Sequence, residues 1–93
     1  MAERGEGGGA SGEVTFSGLL MMVGTTGMVQ LGVTPDPASG ETRVDLDGAK
    51  QTIELLDLLK QKTAGNLSTS ESGLLDELLF DLRMRYVEAR KRG

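Results

Sequence analysis

Residues 14–35 contain no charged side chain, and this run of 22 residues limits what the chain can fold into. Methionine and valine lie on several sides of the helix it would form, so that helix is apolar all round. Such a helix is either buried on several sides or lies in a membrane. At about 100° per residue, one side of it carries Phe16, Leu20, Val23, Gly27 and Leu31.

Glycines within this run predict close helix packing. Gly18, Gly24 and Gly27 each weaken a helix by up to ~1 kcal/mol relative to Ala, so tight contact with another backbone must offset them. Gly32 is a suitable helix stop, and residues 33–44, with two prolines, form a loop.

A membrane-spanning helix is the less favoured interpretation of the same run. The run is long enough to cross a bilayer, but it contains Gln30, four Thr and four Gly. No Lys or Arg flanks it closely to set a topology. We expect a helix buried in a protein core or a homo-oligomer, and keep a membrane-associated peptide through residues 14–35 as an alternative.

Residues 1–13 include five glycines and no large apolar residue except Met1. Such a segment cannot bury enough surface to offset its ordering cost, so we expect a disordered, Gly-rich tail. Residues 14–93 are then a single helical domain. No basic segment precedes an apolar one at the start, so we expect no signal peptide.

Composition argues against an enzyme. The chain has no Cys and no His, which excludes disulfides, thiol nucleophiles, thiolate metal sites and imidazole bases. Glu77 and Asp81 are one helical turn apart but lack a matching second pair for a metal, and Ser68 has no base partner. We expect no catalytic, cofactor-binding or metal-ligating residue. The absence of Cys fits a reducing cytoplasm.

A second helix is predicted over residues 46–63. Asp45 is a suitable N-cap, and Asp47 in the first turn complements the helix dipole. The core-facing residues are Leu46, Ala49, Ile53 and Leu56, and the stripe is widened by Leu55, Leu58 and Leu59.

A third helix is predicted over residues 69–91, since Ser68 and Glu71 match a capping box. Before it comes a structural turn, in which Gly65 takes a left-handed conformation, Asn66 bonds local backbone or accepts a positive φ, and Leu67 packs beneath. This short connection predicts an antiparallel hairpin of helices two and three. The fold class is therefore all-α, with three helices. The third helix's core stripe holds Leu75, Leu78, Leu79, Leu82, Tyr86 and Ala89.

Apolar residues also lie outside the predicted core. Phe80, Met84 and Val87 are on the far side of the third helix, and Met21 and Met22 cover outer sides of the first. Small domains without disulfides or metals often gain stability by oligomerising. We therefore expect a homo-oligomer: a self-associating module that also binds an unknown protein partner.

From Phe16 to residue 88 the pattern resembles a small bacterial family known as domain of unknown function 1844. The most specific shared piece is the turn Lys62-Thr63-x-Gly65-Asn66-Leu67-Ser68. The resemblance implies a compact helical domain in bacteria and supplies no activity, ligand or partner. The other shared positions are Phe16, Leu19–Val23, Leu31-Gly32, Asp45-Leu46-x-x-Ala49-Lys50-x-x-Ile53-x-Leu55-Leu56 and Leu82-Arg83-x-x-Tyr86-Val87.

The C-terminal end is basic in an otherwise acidic chain. Residues 83–93 carry a net charge of +4, which leaves −8 on the remainder because the whole chain carries −4. This asymmetry suggests contact with an acidic partner, RNA or a lipid surface, and an accessory RNA or ribonucleoprotein factor is an alternative function. The cationic residues are Arg83, Arg85, Arg90, Lys91 and Arg92.

Nucleic-acid binding is expected to be weak. Five cations neutralise at most about five phosphates, and the acidic remainder repels the ligand, so we expect no Kd below ~10 μM for generic RNA at physiological salt. Fluorescence anisotropy with labelled single-stranded RNA, on the intact chain and on one truncated after Glu88, measures this. Submicromolar binding that disappears on truncation would favour the RNA factor instead.

Overall fold

The computed structural model describes residues 14–92 and consists of three helices. They are α1 (Phe16–Gln30), α2 (Leu46–Lys62) and α3 (Thr69–Arg92). The predicted all-α class and the number of helices are confirmed, and the helix ends differ from the predicted ones by one residue at most for α2 and α3. The tail predicted for residues 1–13 lies outside the described residues.

Helix α1 begins and ends at local signals. The Thr15 hydroxyl accepts a hydrogen bond from the Gly18 N–H (2.9 Å) and so caps the helix. At the other end, Gly32 has φ +75° and its N–H donates to the Val29 carbonyl (3.0 Å). Gly32 is therefore the stop that was predicted, because a positive φ is readily adopted by glycine.

Two glycines let α1 approach its neighbours closely. A β-carbon at Gly24 would lie 2.9 Å from a methyl group of Leu78. At Gly27 it would lie 3.0 Å from Leu82 and 3.2 Å from Thr52. A side chain at either position would therefore force the neighbouring side chains to move. Gly24 and Gly27 are thus closely packed, against side chains of α2 and α3 and not against another backbone. Gly18 has no such neighbour, since a β-carbon there would meet only the Thr15 hydroxyl that caps the same helix.

A polar contact joins α1 to α2 inside this apolar interface. Thr52 is buried, and its hydroxyl donates to the Gln30 side-chain oxygen at 2.6 Å. The Gln30 carbonyl also accepts the Asp45 N–H at 2.6 Å. Asp45 in turn caps α2 by accepting from the Gly48 N–H (3.0 Å). The end of α1 and the start of α2 are therefore held together by backbone and side-chain hydrogen bonds.

Helices α2 and α3 form the predicted antiparallel hairpin. Two ion pairs between the helices show their direction: Asp57 pairs with Arg83 (3.5 Å) and Lys60 with Asp76 (2.8 Å). The later residue of α2 thus pairs with the earlier residue of α3, as it must in an antiparallel pair. The stripe residues predicted for both helices supply most of the core, with Leu20 and Leu31 added from the N-terminal part. The fully buried large side chains are Leu20, Leu31, Leu56, Leu75, Leu79 and Leu82.

The turn of the hairpin has the predicted construction. Gly65 has φ +85°, and Leu67 packs against the core. The capping box is complete, since the Ser68 N–H donates to Glu71 Oε1 (2.8 Å) and the Glu71 N–H donates to Ser68 Oγ (3.1 Å). Asn66 does not take the positive φ that was one of its two predicted roles. Its bond to local backbone is made by its own backbone N–H, which donates to the Thr63 carbonyl (2.9 Å).

Two glycines with open surroundings should respond oppositely to Ala. A β-carbon at Gly65 or at Gly73 meets no atom within 4 Å, but only Gly65 has a positive φ. Gly65→Ala should therefore lower the free energy of unfolding by ~1 kcal/mol through backbone strain. Gly73→Ala, inside α3, should raise it by up to ~1 kcal/mol. Urea titration followed by circular dichroism measures both, and a change of the same sign would contradict this account.

Removing the cap should cost about as much as the Gly65 substitution. Ser68→Ala deletes the oxygen that accepts the Glu71 N–H, which should lower the free energy of unfolding by ~1 kcal/mol. Ser72→Ala, on an exposed position of the same helix, is the control and should be neutral or slightly stabilising. Equal melting temperatures for Ser68→Ala and the unaltered chain would refute the role of the capping box.

Candidate functional site

The strongest candidate site is an apolar groove along α3. Phe80, Met84 and Val87 are 66%, 49% and 46% exposed, although all three are apolar. They line a groove of about 720 Å³, together with the buried Leu79. They are separated by four and three residues, so they lie on one side of the helix. The structure places these three predicted self-association residues together, on the side of α3 away from its core stripe.

Charged side chains of both signs border the groove. Lys60 of α2 and Asp76 of α3 pair at 2.8 Å along the edge of the groove that faces α2. Glu88 and Lys91 border the C-terminal part. Exposed ion pairs contribute little to stability, about 0–1 kcal/mol. The position of these four charged residues gives the groove an apolar centre and a charged rim, the arrangement found at protein–protein interfaces.

The other two predicted self-association residues lie on a different surface. Met21 and Met22 are exposed on α1, as is Leu19, and the residues lining the α3 groove do not include them. The predicted set of five is therefore divided between two helices. The sequence already assigned them to two helices, but it could not show that they lie on separate surfaces, because a helical wheel orients residues within one helix and does not relate two helices.

The basic C-terminal cluster is partly neutralised within the chain. Arg83 pairs with Asp57 (3.5 Å) and Arg85 with Asp81 (3.1 Å). Arg90 lies over the Tyr86 ring, 5.8 Å from its centre, a geometry that allows a cation–π contact. Three of the five cations predicted to meet an acidic partner thus have contacts inside the domain, two of them with carboxylates.

A second cavity lies at the junction of α1, the loop and α2. It has a volume of about 360 Å³ and is lined by Gln30, Asp36, Glu41, Arg43 and Asp45, among others. No sequence pattern predicted this cavity, and Gln30, the one long polar side chain in the uncharged run, was the available signal. Within residues 14–92, no three acidic, Cys or His side chains are grouped closely enough to hold a metal ion.

None of the helices in residues 14–92 combines the length and the apolar character needed to cross a bilayer. Helix α1, which includes most of the uncharged run, has 15 residues. At 1.5 Å per residue it is roughly 22 Å long.

The comparisons with known proteins agree with the resemblance seen in the residues. No curated protein and no solved structure matches the chain significantly. A family model described as Domain of unknown function (DUF1844) matches residues 13–88, which covers all three helices up to the last turn of α3. The chain belongs to the DUF1844 family.

Proposed function

We propose that this protein is a small helical interaction module that associates with a second copy of itself through the α3 groove and has no catalytic activity. The observation that carries the proposal is the exposure of Phe80 at the groove. The chain has only three aromatic residues, and the other two, Phe16 and Tyr86, pack against the core.

Exposed apolar residues at this spacing suit a helix as the binding partner. Side chains at positions i, i+4 and i+7 of one helix present a continuous apolar ridge, which is the way amphipathic helices bind grooves. A groove with an apolar centre and charged borders of both signs can receive a chemically identical surface. A second copy of this chain carries such a surface and is present wherever the protein itself is.

The uncharged outer surface of α1 supports an interaction role independently. Met21 and Met22 lie on it, and methionine is well suited to surfaces that adapt to a partner. We propose that this second surface accommodates a further protein chain, and that the α3 groove is the self-association site. The two roles are separable by substitution, since the two sets of residues lie on different helices.

Self-association should depend on the groove and not on exposed apolar surface in general. Met84 and Leu58 are exposed to almost the same extent, 49% and 48%, but only Met84 lines the groove. We expect the unaltered chain to form a dimer or larger species at roughly tens of micromolar. Met84→Gln and Phe80→Gln should shift it to a monomer, whereas Leu58→Gln should not. Sedimentation equilibrium measures these masses.

Circular dichroism must show that all variants keep their helix content. A mass of 9.8 kDa for the unaltered chain at these concentrations would refute self-association. Loss of the dimer in Leu58→Gln to the same extent as in Met84→Gln would refute the α3 groove as its site.

A further inference from the structure

An exposed stripe along α3 extends beyond the three apolar residues of the groove. Its members follow one another at intervals of three and four residues and are Glu77, Phe80, Met84, Val87 and Lys91. This is the spacing of the contact positions of two helices that pack side by side. All five side chains are exposed. The core residues of α3 lie on the opposite side of the helix, so the whole stripe is available to a partner.

The two ends of the stripe carry opposite charges. Glu77 and Lys91 lie seven residues before and seven residues after Met84. If two copies packed with α3 parallel, Glu77 would face Glu77 and Lys91 would face Lys91. If they packed antiparallel about Met84, each Glu77 would face a Lys91. Like charges placed together at an interface are unfavourable, and opposite charges fix the register.

We propose that two copies dock antiparallel, α3 against α3, with a two-fold axis near Met84 that brings Glu77 of each copy beside Lys91 of the other. This rests on the self-association proposed above and adds its orientation and register. A two-fold axis makes the interface self-complementary, because the same patch is used by both copies.

The register decides which part of the groove Phe80 of the second copy meets. With the axis at Met84, Phe80 of the second copy lies level with Glu88 of the first. The groove is lined there by Met84, Val87, Glu88 and Lys91, whereas the buried Leu79 lines its N-terminal part. Phe80, the most exposed of the three apolar side chains, thus meets Met84 and Val87 of the opposite copy between the charged Glu88 and Lys91.

The charges that flank the axis do not oppose the arrangement. Arg83 lies beside Met84 on the side of α2, where it pairs with Asp57 at 3.5 Å. Asp81 lies on the other flank and pairs with Arg85 at 3.1 Å. Because each charge has an opposite charge within its own chain, its repulsion from the second copy is reduced.

Crosslinking tests the orientation directly. The chain has no Cys, so Glu77→Cys and Lys91→Cys each introduce a single thiol at an exposed position. A short bis-maleimide is added to each variant alone and to an equimolar mixture of the two. We expect a crosslinked dimer in the mixture and little in either variant alone.

Each other outcome has a definite meaning. Crosslinking of a single variant as efficient as that of the mixture would show parallel packing and overturn the proposal. A chain that sediments as a dimer without crosslinking in the mixture would place the interface elsewhere, which overturns the arrangement but leaves self-association standing. A chain that sediments as a monomer would refute the proposed function itself.

Charge exchange provides a second measurement. Glu77→Lys or Lys91→Glu should weaken the dimer about tenfold, because each converts two attractive contacts per dimer into two repulsive ones. The double variant E77K/K91E should recover most of the affinity. Glu54→Lys makes the same charge change at an exposed position outside the groove and is the control. A double variant as weak as the single variants would overturn the proposal.

Discussion

The fold depends on the close approach of α1 to the α2–α3 hairpin at Gly24 and Gly27. The space beside these glycines, which a β-carbon would need, is filled by other helices: by Leu78 and Leu82 from α3 and by Thr52 from α2. Side chains of α2 and α3 therefore lie against the surface of α1 at its glycines, while Phe16, Leu20, Val23 and Met28 of α1 pack into the core beside them. Without this contact the apolar ends of Leu78 and Leu82 would be uncovered, and the stripe of α3 would have only α2 to pack against.

Local signals made much of this fold predictable. Asp45, Gly32, Gly65 and the Ser68–Glu71 box act within four residues along the chain, so the sequence alone shows where each helix begins or ends. The inward face of α3 was also predictable, since Leu75, Leu79 and Leu82 recur with the helical period. The antiparallel hairpin followed from the shortness of the turn.

Contacts between distant residues were not predictable in this way. The hydrogen bond between Thr52 and Gln30 joins positions 22 residues apart, and nothing in either local sequence indicates the other. Leu55 and Leu58 belong to the predicted apolar arc of α2, yet about half of each side chain is exposed, because the two neighbouring helices cover a narrower part of α2 than its apolar residues span. For the candidate site, the grouping of Phe80, Met84 and Val87 was predicted. Its separation from Met21 and Met22 required the relative placement of the helices.

The uncharged character of α1 has a consequence for the order of events during synthesis. A ribosome adds about 5–20 residues per second, and the N-terminal end of the chain emerges first. Helix α1 is therefore synthesised before Leu82, one of its packing partners, by an interval on the order of seconds. During that interval residues 14–35 present methionine, leucine and valine to solvent or to other nascent chains, and charged gatekeeper residues stand only at the two ends of the run, Glu13 and Asp36. Helix α1 therefore emerges before the hairpin that covers its inner face, and protection of the nascent chain matters most over α1.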